Sequence, residues 1–501
     1  MCIRDSSLSL AVLVTRGDWL PRAPGRSLSS VTHSDSTLPA TAPPATDRFT
    51  PSQALAMGVL LTANFTLAVD FSILNVALPP IGRELGFDTA SLQWIVTAFA
   101  VCAASFTLFF GRVADLLGRK RLFIAGLALL GAASVVGGLA TTPGVLLAAR
   151  VGQGVATAMV TPAALALMTT MFPEGRARSR ALGLNGALMA AGFTAGAVLG
   201  GLLTGGVSWR WAFFINVAVA AAALLVGAFV LHEPRRVARA RLDVVGAITV
   251  TAALVALVFG IDSAGRVGWG EPGTWMPLGV SAVFFVLFAL AEKRAIEPLI
   301  APSLLRRSEI AWGNLAGLLA FATETSLVFL LTIYLQEILG YTPIAAGLML
   351  GVLGIGTVLG GLLAPRVIGR VGSSRAIVVG LIVQAGATFP LAFASDEHAW
   401  AIPLLVLTFL GGVANLVAIV GYVVTATGSV PSEQQGLATG LVTMSQQVGI
   451  ALGTPVMAAV VAAFAGAGLL AGLLMAIGLN AAMALSTALL VAVVLRGRRG
   501  R

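Results

Sequence analysis

The chain has 501 residues, 57% of them hydrophobic and only 10% charged, with a mean hydropathy of +0.95. Soluble domains carry about 25% charged residues, so this composition excludes a soluble globular fold and predicts an all-α polytopic membrane protein. The net charge of +10 does not indicate nucleic acid, because the arginines are scattered over short loops and both tails, as the positive-inside bias produces.

The apolar runs are rich in Gly, Ala and Leu and lack strict alternation, which selects helices over a β-barrel. Cys2 and Cys102 imply no disulfide framework. His33, His232 and His398 fall in the tail or in loops, against a metal site inside the membrane. Neither Lys120 nor Lys293 follows Gly in a Gly-Lys-Ser/Thr sequence, so no Walker-type nucleotide loop is present. No cofactor is expected, and no His, Cys or Ser constellation suggests an enzyme.

Residues 1–53 are rich in Ser, Thr, Pro and Arg and read as a disordered cytoplasmic tail. The opening Met-Cys-Ile-Arg-Asp-Ser looks like sequencing-adaptor read-through, which would place the natural start downstream, at Met57.

Fourteen apolar segments follow, at 54–79, 90–110, 122–141, 144–171, 179–205, 211–231, 243–262, 274–291, 310–336, 343–364, 376–394, 400–428, 436–464 and 469–495. Alternate loops are basic: Arg112, Arg119, Lys120 and Arg121; Arg176, Arg178 and Arg180; Arg235, Arg236, Arg239 and Arg241; Arg366, Arg370 and Arg375. The tail at 497–501 is basic too. An even number of spans with both termini cytoplasmic, in the plasma membrane, fits this pattern. The loop around Glu433 departs from it.

The stretch 111–121 is too charged for lipid and reads as a tight cytoplasmic loop, and 361–375 echoes it after the second helix of a second half. Two related six-helix halves, with the substrate site between them near the midplane, is a transporter pattern. The predicted organisation is 54–235 for the first bundle, 236–305 for an inserted helix pair with its inner loop, and 306–496 for the second bundle.

Several motifs match one family. Gly111-x-x-x-Asp115-x-x-Gly118-Arg119-Lys120-Arg121 resembles the loop signature of the major facilitator superfamily. Val69-Asp70 through Asn75 to Pro79 resembles the first-helix signature of its fourteen-span drug:proton antiporter branch, the QacA/EmrB-like exporters. Gln93-Trp94, Arg150-x-x-Gln153-Gly154, Ser208-Trp209-Arg210-Trp211, Tyr334-Leu335-Gln336 and Gly340-Tyr341 are similar to the same branch. In the fifth helix Gly196-Ala197-x-x-Gly200-Gly201 keeps the family's glycines without its Pro, and Ala218 stands where Pro is usual after Asn216-Val217. The resemblance implies the major facilitator fold with two inserted helices and proton-coupled export of hydrophobic or cationic drugs. The alternatives are an exporter of an endogenous metabolite (antibiotic, lipid or siderophore) or a non-transporting sensor. Small molecules, protons and lipid are the expected partners, without nucleic acid or nucleotide, for a monomer.

The candidate residues follow. Asp70, mid-helix, is too costly in lipid unless it faces a cavity or a partner, and so is a proton-coupling candidate; a fixed ion pair with Arg150 is the alternative. The resemblance implies that Arg150 relays protons; the alternative is an Arg snorkelling from the outer end of its helix. Glu324 is a coupling or cation-pairing candidate, or else a helix-packing group bonded to neighbouring Thr or Ser. Asp262 reads as solvated. Asn75, Trp94, Gln153, Asn314, Asn415 and Gln446 are candidates for lining the cavity. Gly111, Asp115, Gly118, Arg119 and Lys120 would form a gate in which Asp115 accepts from helix N-terminal amides. Gly196, Gly200 and Gly201 would allow close helix packing. Trp209, Trp211, Trp269 and Trp275 read as interfacial anchors.

Overall fold

The computed structural model describes residues 50–87, 91–172, 176–233, 243–295, 306–428, 430 and 435–496. The expectations for residues 1–49 and for the loop around Glu433 lie outside these. The first bundle holds α1 (Pro51–Leu85), α2 (Trp94–Leu117), α3 (Arg119–Gly138), α4 (Pro143–Met171), α5 (Arg176–Gly206) and α6 (Trp211–Val230). A hairpin follows, α7 (Val244–Val267) and α8 (Pro272–Arg294). The second bundle holds α9 (Ser308–Ile333), α10 (Pro343–Val371), α11 (Ser373–Thr388), α12 (Ala401–Thr427), α13 (Gln435–Ala463) and α14 (Leu469–Arg496). Among the described residues there are no strands. Thirteen helices among the described residues are by themselves long and apolar enough to cross a bilayer, and α2 adds a further apolar stretch over Trp94–Thr107. The protein is therefore a multi-pass membrane protein.

Helix starts and stops follow local chemistry. Thr50 caps α1 in a reciprocal capping box with Gln53, and Thr142 and Thr342 cap α4 and α10 just ahead of a Pro. Residues 111–121 are not a loop, as the charge density suggested. Helix α2 runs to Leu117 and α3 starts at Arg119, so Gly118 alone breaks the helix, at φ +109°. Its counterpart is Gly372 at φ +86°, between α10 and α11. Both lie in the left-handed region that favours glycine. Aligning the two breaks sets Gly369 opposite Asp115.

Glycines also set which helices touch. On α5 a Cβ at Gly192 or Gly196 would stand 2.7 Å from the carbonyl oxygen of Phe65 or Val69 on α1, and Gly200 meets that of Ile73 more tightly still. On α13 the Gly449 and Gly453 positions meet the carbonyls of Leu318 and Ala322 on α9 in the same way. The fifth helix of each bundle thus lies parallel to its first, by glycines four residues apart. Between the bundles, α5 runs antiparallel to α10: a Cβ on Gly201 would lie 2.5 Å from Pro343 O and 3.0 Å from Gly347 Cα.

We refer to the side where α1 starts and α14 ends as the termini face. Toward the far face the bundles share one apolar core, including Ile73, Ile95, Leu330, Leu350 and Leu473. Toward the termini face the described core residues divide into separate clusters, with Leu60, Phe123 and Leu167 in the first bundle and Ile377, Tyr422 and Ala488 in the second. Polar contacts also bridge the bundles at the far end. Pro79 and Pro80 lie inside α1, and Pro80 lacks the N–H that would bond Val76 O. Gln336 Nε2 takes that carbonyl at 2.8 Å, and Arg83 pairs with Glu337 at 2.9 Å.

The inserted hairpin lies on the opposite seam, with α7 against both α2 and α13. Trp94 packs on Phe259 of α7 at 5.6 Å between ring centroids, and Gln93 donates to Asp262. Asp262 is therefore buried and hydrogen-bonded, correcting its reading as solvated: the neighbouring bundle covers it.

Candidate functional site

Two buried polar clusters occupy corresponding places, each built by the first, third, fourth and sixth helices of its bundle. In the first bundle Asp70 on α1 is 1% exposed and Arg150 on α4 fully buried. Arg150 Nη1 donates to Asp70 Oδ2 at 3.0 Å and to Gln153 Oε1 at 2.8 Å, while its Nε donates to Ile95 O at 2.8 Å. The guanidinium lies over the Phe99 ring, 4.3 Å from its centroid. Gln153 Nε2 donates to Asp70 Oδ1 at 3.0 Å and to Ser134 Oγ of α3 at 2.9 Å. Asn216 Nδ2 of α6 also donates to Asp70 Oδ1. A buried ion pair tolerates a low dielectric only with such added hydrogen bonds.

The second cluster contains no charge. Gln384 Nε2 of α11 donates to Thr323 Oγ1 of α9 at 3.1 Å. Asn415 Nδ2 of α12 donates to Gln384 Oε1 at 3.1 Å and to Ala320 O at 3.2 Å. Asn480 Nδ2 of α14 donates to Thr323 O at 2.9 Å and to Ser326 Oγ at 3.0 Å. Glu324, next to Thr323, is half-buried and has no hydrogen bond or ion pair among the described residues. Its helix neighbours Thr323, Thr325 and Ser326 bond their own helix's carbonyls instead, so the expected packing bond to them is not made.

The other candidates fall as follows. Arg150 does not snorkel outward; it turns into the bundle and forms with Asp70 the ion pair that was the alternative reading of that carboxylate. Gln153 belongs to the ionic cluster, with both ends of its amide bonded, rather than to an open cavity wall. Trp94 faces the inserted hairpin. Asn75 donates to Phe71 O and Ser72 O of its own helix, at 3.3 and 3.4 Å, and Asn314 to Ile310 O at 2.8 Å. Gln446 is half-buried. Gly111 has only the Pro162 side chain near its Cβ position, at 3.8 Å.

At the expected gate the amides at the start of α3 are taken by Glu233, which accepts from Lys120 N at 3.4 Å and Arg121 N at 3.3 Å. Arg119 donates to Ala166 O and Lys120 Nζ to Ala228 O. The side chains of Arg112 and Asp115 lie outside the described residues. Trp209 is 2% exposed, not an interfacial anchor, because its indole N–H donates to Glu84 at 2.6 Å, and Arg210 pairs with the same carboxylate. Trp211, Trp269 and Trp275 are exposed as anchors would be. Asn216, Ser134, Thr323 and Asn480 escaped the sequence reading; the available signal was a lone amide or hydroxyl within an apolar run. No group of residues able to hold a metal ion occurs among the described residues.

Two six-helix bundles related by repeat, each holding a buried polar cluster, are the architecture of a membrane transporter. The family model of the Major Facilitator Superfamily matches residues 60–454, and the chain belongs to that superfamily. It is 36% identical over 415 residues to the cephamycin export protein CmcT of Amycolatopsis lactamdurans, covering 80% of this chain and 84% of that protein. It is 37% identical over 403 residues to the puromycin resistance protein of Streptomyces alboniger, covering 79% of each. It is 30% identical over 400 residues to the multidrug resistance protein Stp of Mycobacterium tuberculosis, covering 80% of this chain and 74% of that one. Among solved structures it is similar in fold to the human organic anion transporter MFSD10, with TM-score 0.61 and 18% identity over 88% of this chain and all of that one.

Proposed function

We propose that this protein exports hydrophobic, cationic or amphiphilic compounds, antibiotics among them, across the plasma membrane in exchange for protons. The observation that carries the reading is the fully buried Asp70–Arg150 pair, at 3.0 Å within membrane-spanning helices. A passive scaffold has no reason to bear its desolvation cost. Asp70 takes up and releases the proton, and Arg150 holds the ionised carboxylate between cycles. Glu324, without a partner, is the site for a cationic group of the substrate. The domains are 54–235, 236–305 and 306–496. The protein works as a monomer, with no covalent chemistry on its substrate.

The basic stretch Arg119–Arg121 at the termini face supports cytoplasmic termini. The far face is then external, and the shared core, with the Gln336–Val76 and Arg83–Glu337 contacts, supports a state closed to the outside. Release outward requires those contacts to break while the termini face closes.

The names of the cephamycin and tetracenomycin C exporters support antibiotics as a substrate class, and a second reading within the same mechanism is export of an endogenous metabolite.

Everted vesicles supplied with a panel of lipophilic cations and antibiotics test the proposal. Uptake driven by a pH gradient, collapsed by a protonophore and absent in Asp70→Asn, is expected. Protonophore-insensitive uptake, or unchanged coupling in Asp70→Asn, overturns it.

A further inference from the structure

We propose that Asn216 is the residue that accommodates the protonated state of Asp70, by turning its side-chain amide over. The inference rests on the reading of Asp70 as the proton site.

Every group bonded to the Asp70 carboxylate is a donor: Arg150 Nη1, Gln153 Nε2 and Asn216 Nδ2. That set suits a carboxylate. When a proton from water bonds to a carboxylate oxygen, the charge is lost and the new O–H needs an acceptor, or a buried donor is left unsatisfied. Arg150 has no acceptor atom. Gln153 is fixed at both ends. Its Oε1 accepts from Arg150 Nη1 at 2.8 Å and its Nε2 reaches Ser134 Oγ at 2.9 Å. Turning Gln153 over would aim an N–H at the guanidinium.

Asn216 is different. It is fully buried, and its Oδ1 has no hydrogen-bond partner among the described residues. Rotation about its Cβ–Cγ bond breaks no other bond and brings Oδ1 to the place Nδ2 held, where it accepts from the Asp70 O–H. When the proton returns to water, the amide turns back and donates to the carboxylate again. Of the helices packed on α1, α4 brings Arg150 and Gln153, α6 brings Asn216, α2 presents Phe99, α5 presents its glycines, and α9, which carries Glu324, and α10 also touch it; α3 is reached through Ser134, and no bond joins Glu324 to Asp70 among the described residues. Arg150 is the one charged side chain bonded to Asp70 among the described residues. Proton uptake on this arrangement also loosens the hold of α6 and α4 on α1, the helix whose Val76 carbonyl is engaged at the far face.

The test compares Asn216→Val with its near-isostere Asn216→Thr, whose hydroxyl both donates and accepts. Asn216→Val takes a donor from the ionised form and the acceptor from the protonated form, so both states of Asp70 lose a bond, and Asn216→Thr, whose hydroxyl is one atom shorter, serves as a polar control of fold and yield. The two losses oppose each other, and the midpoint of gradient-driven transport against pH is expected to stay within about half a pH unit or to move to the acid side, while gradient-driven uptake at neutral pH falls about tenfold. Were Asn216 a donor alone, only the ionised form would lose a bond, and the midpoint would move to the alkaline side by about one pH unit or more. Such an alkaline shift in Asn216→Val overturns the proposal.

Should Asn216→Val fail to reach the membrane, infrared difference spectra of the otherwise unaltered protein on acidification decide. A carboxylic C=O band, assigned by its absence in Asp70→Asn, is expected at a hydrogen-bonded frequency together with a change in an Asn C=O band. A free-carboxyl frequency with no amide change overturns the switch. Retention of the full pH dependence in Asp70→Asn instead removes Asp70 as the proton site, an outcome distinct from any result at Asn216.

Discussion

The two bundles solve one packing problem in two ways. Each gathers polar side chains from its first, third, fourth and sixth helices. The first bundle uses Asp70, Ser134, Arg150, Gln153 and Asn216; the second uses Thr323, Ser326, Gln384, Asn415 and Asn480. A neutral amide cluster fixes helix register at modest cost, since each bond is worth about 1 kcal/mol net. An ion pair in the same place costs more to bury and gains stability only while both charges are present. The second bundle thus shows a cluster that joins helices without charge, and the first departs from it by the two charges on which the proposed proton cycle rests. Glu324, a carboxylate within a span of the second bundle, makes no bond to that cluster among the described residues, which separates the group proposed to meet a ligand from those that join the helices.

This contrast breaks most visibly at Arg150. Arg150→Ala leaves Asp70 buried without its counter-charge, at a cost of about 3–5 kcal/mol. Sharply lower membrane yield and melting temperature, with no transport, are expected by fluorescence-detected chromatography and vesicle uptake. A stable, coupled variant would show the pair to be dispensable.

An intermediate effect is expected at Glu324. Glu324→Gln should weaken transport of cationic substrates about tenfold, the scale of one charge-assisted hydrogen bond, and leave neutral ones nearly unchanged, as read from competition in vesicles. Equal loss for both classes would return Glu324 to a structural role.

The smallest effect belongs to the neutral cluster. Gln384→Leu should cost about 1–2 kcal/mol, from the Asn415 amide left short of an acceptor, and leave the pH dependence of transport unaltered. A shifted pH profile would mean that the second bundle shares in coupling.

Hydropathy and loop charge foretold most of the architecture. The spans, the inserted pair and the echo between bundles all answer to composition over windows of about twenty residues. Asp70, Arg150 and Glu324 were legible because charge stands out in an apolar run. Their partners were not. Asn216 lies 146 positions from Asp70, and a lone Asn in an apolar run looks the same whether it bonds its own helix, as Asn75 does, or a distant carboxylate. Trp209 sits at a helix boundary, where an indole ordinarily faces lipid headgroups; packing against Phe213 and Arg210 buries the ring, and Glu84 takes its N–H. The charged stretch at 111–121 read as a loop because charge leaves lipid, yet leaving lipid does not require leaving the helix, and one glycine was enough to turn the chain.

By itself, the sequence determined that this protein crosses a membrane with two related six-helix bundles and an inserted pair, and which charges those helices carry into the apolar layer. The energy of placing a residue in lipid is local and additive, and so can be read residue by residue. The tertiary structure decided which buried polar groups are satisfied, that the Asn216 oxygen beside Asp70 is left without a partner among the described residues, and at which end the bundles meet. Those outcomes depend on the register of helices distant in the chain, set here by glycines against carbonyls and by a proline that releases the Val76 oxygen to Gln336.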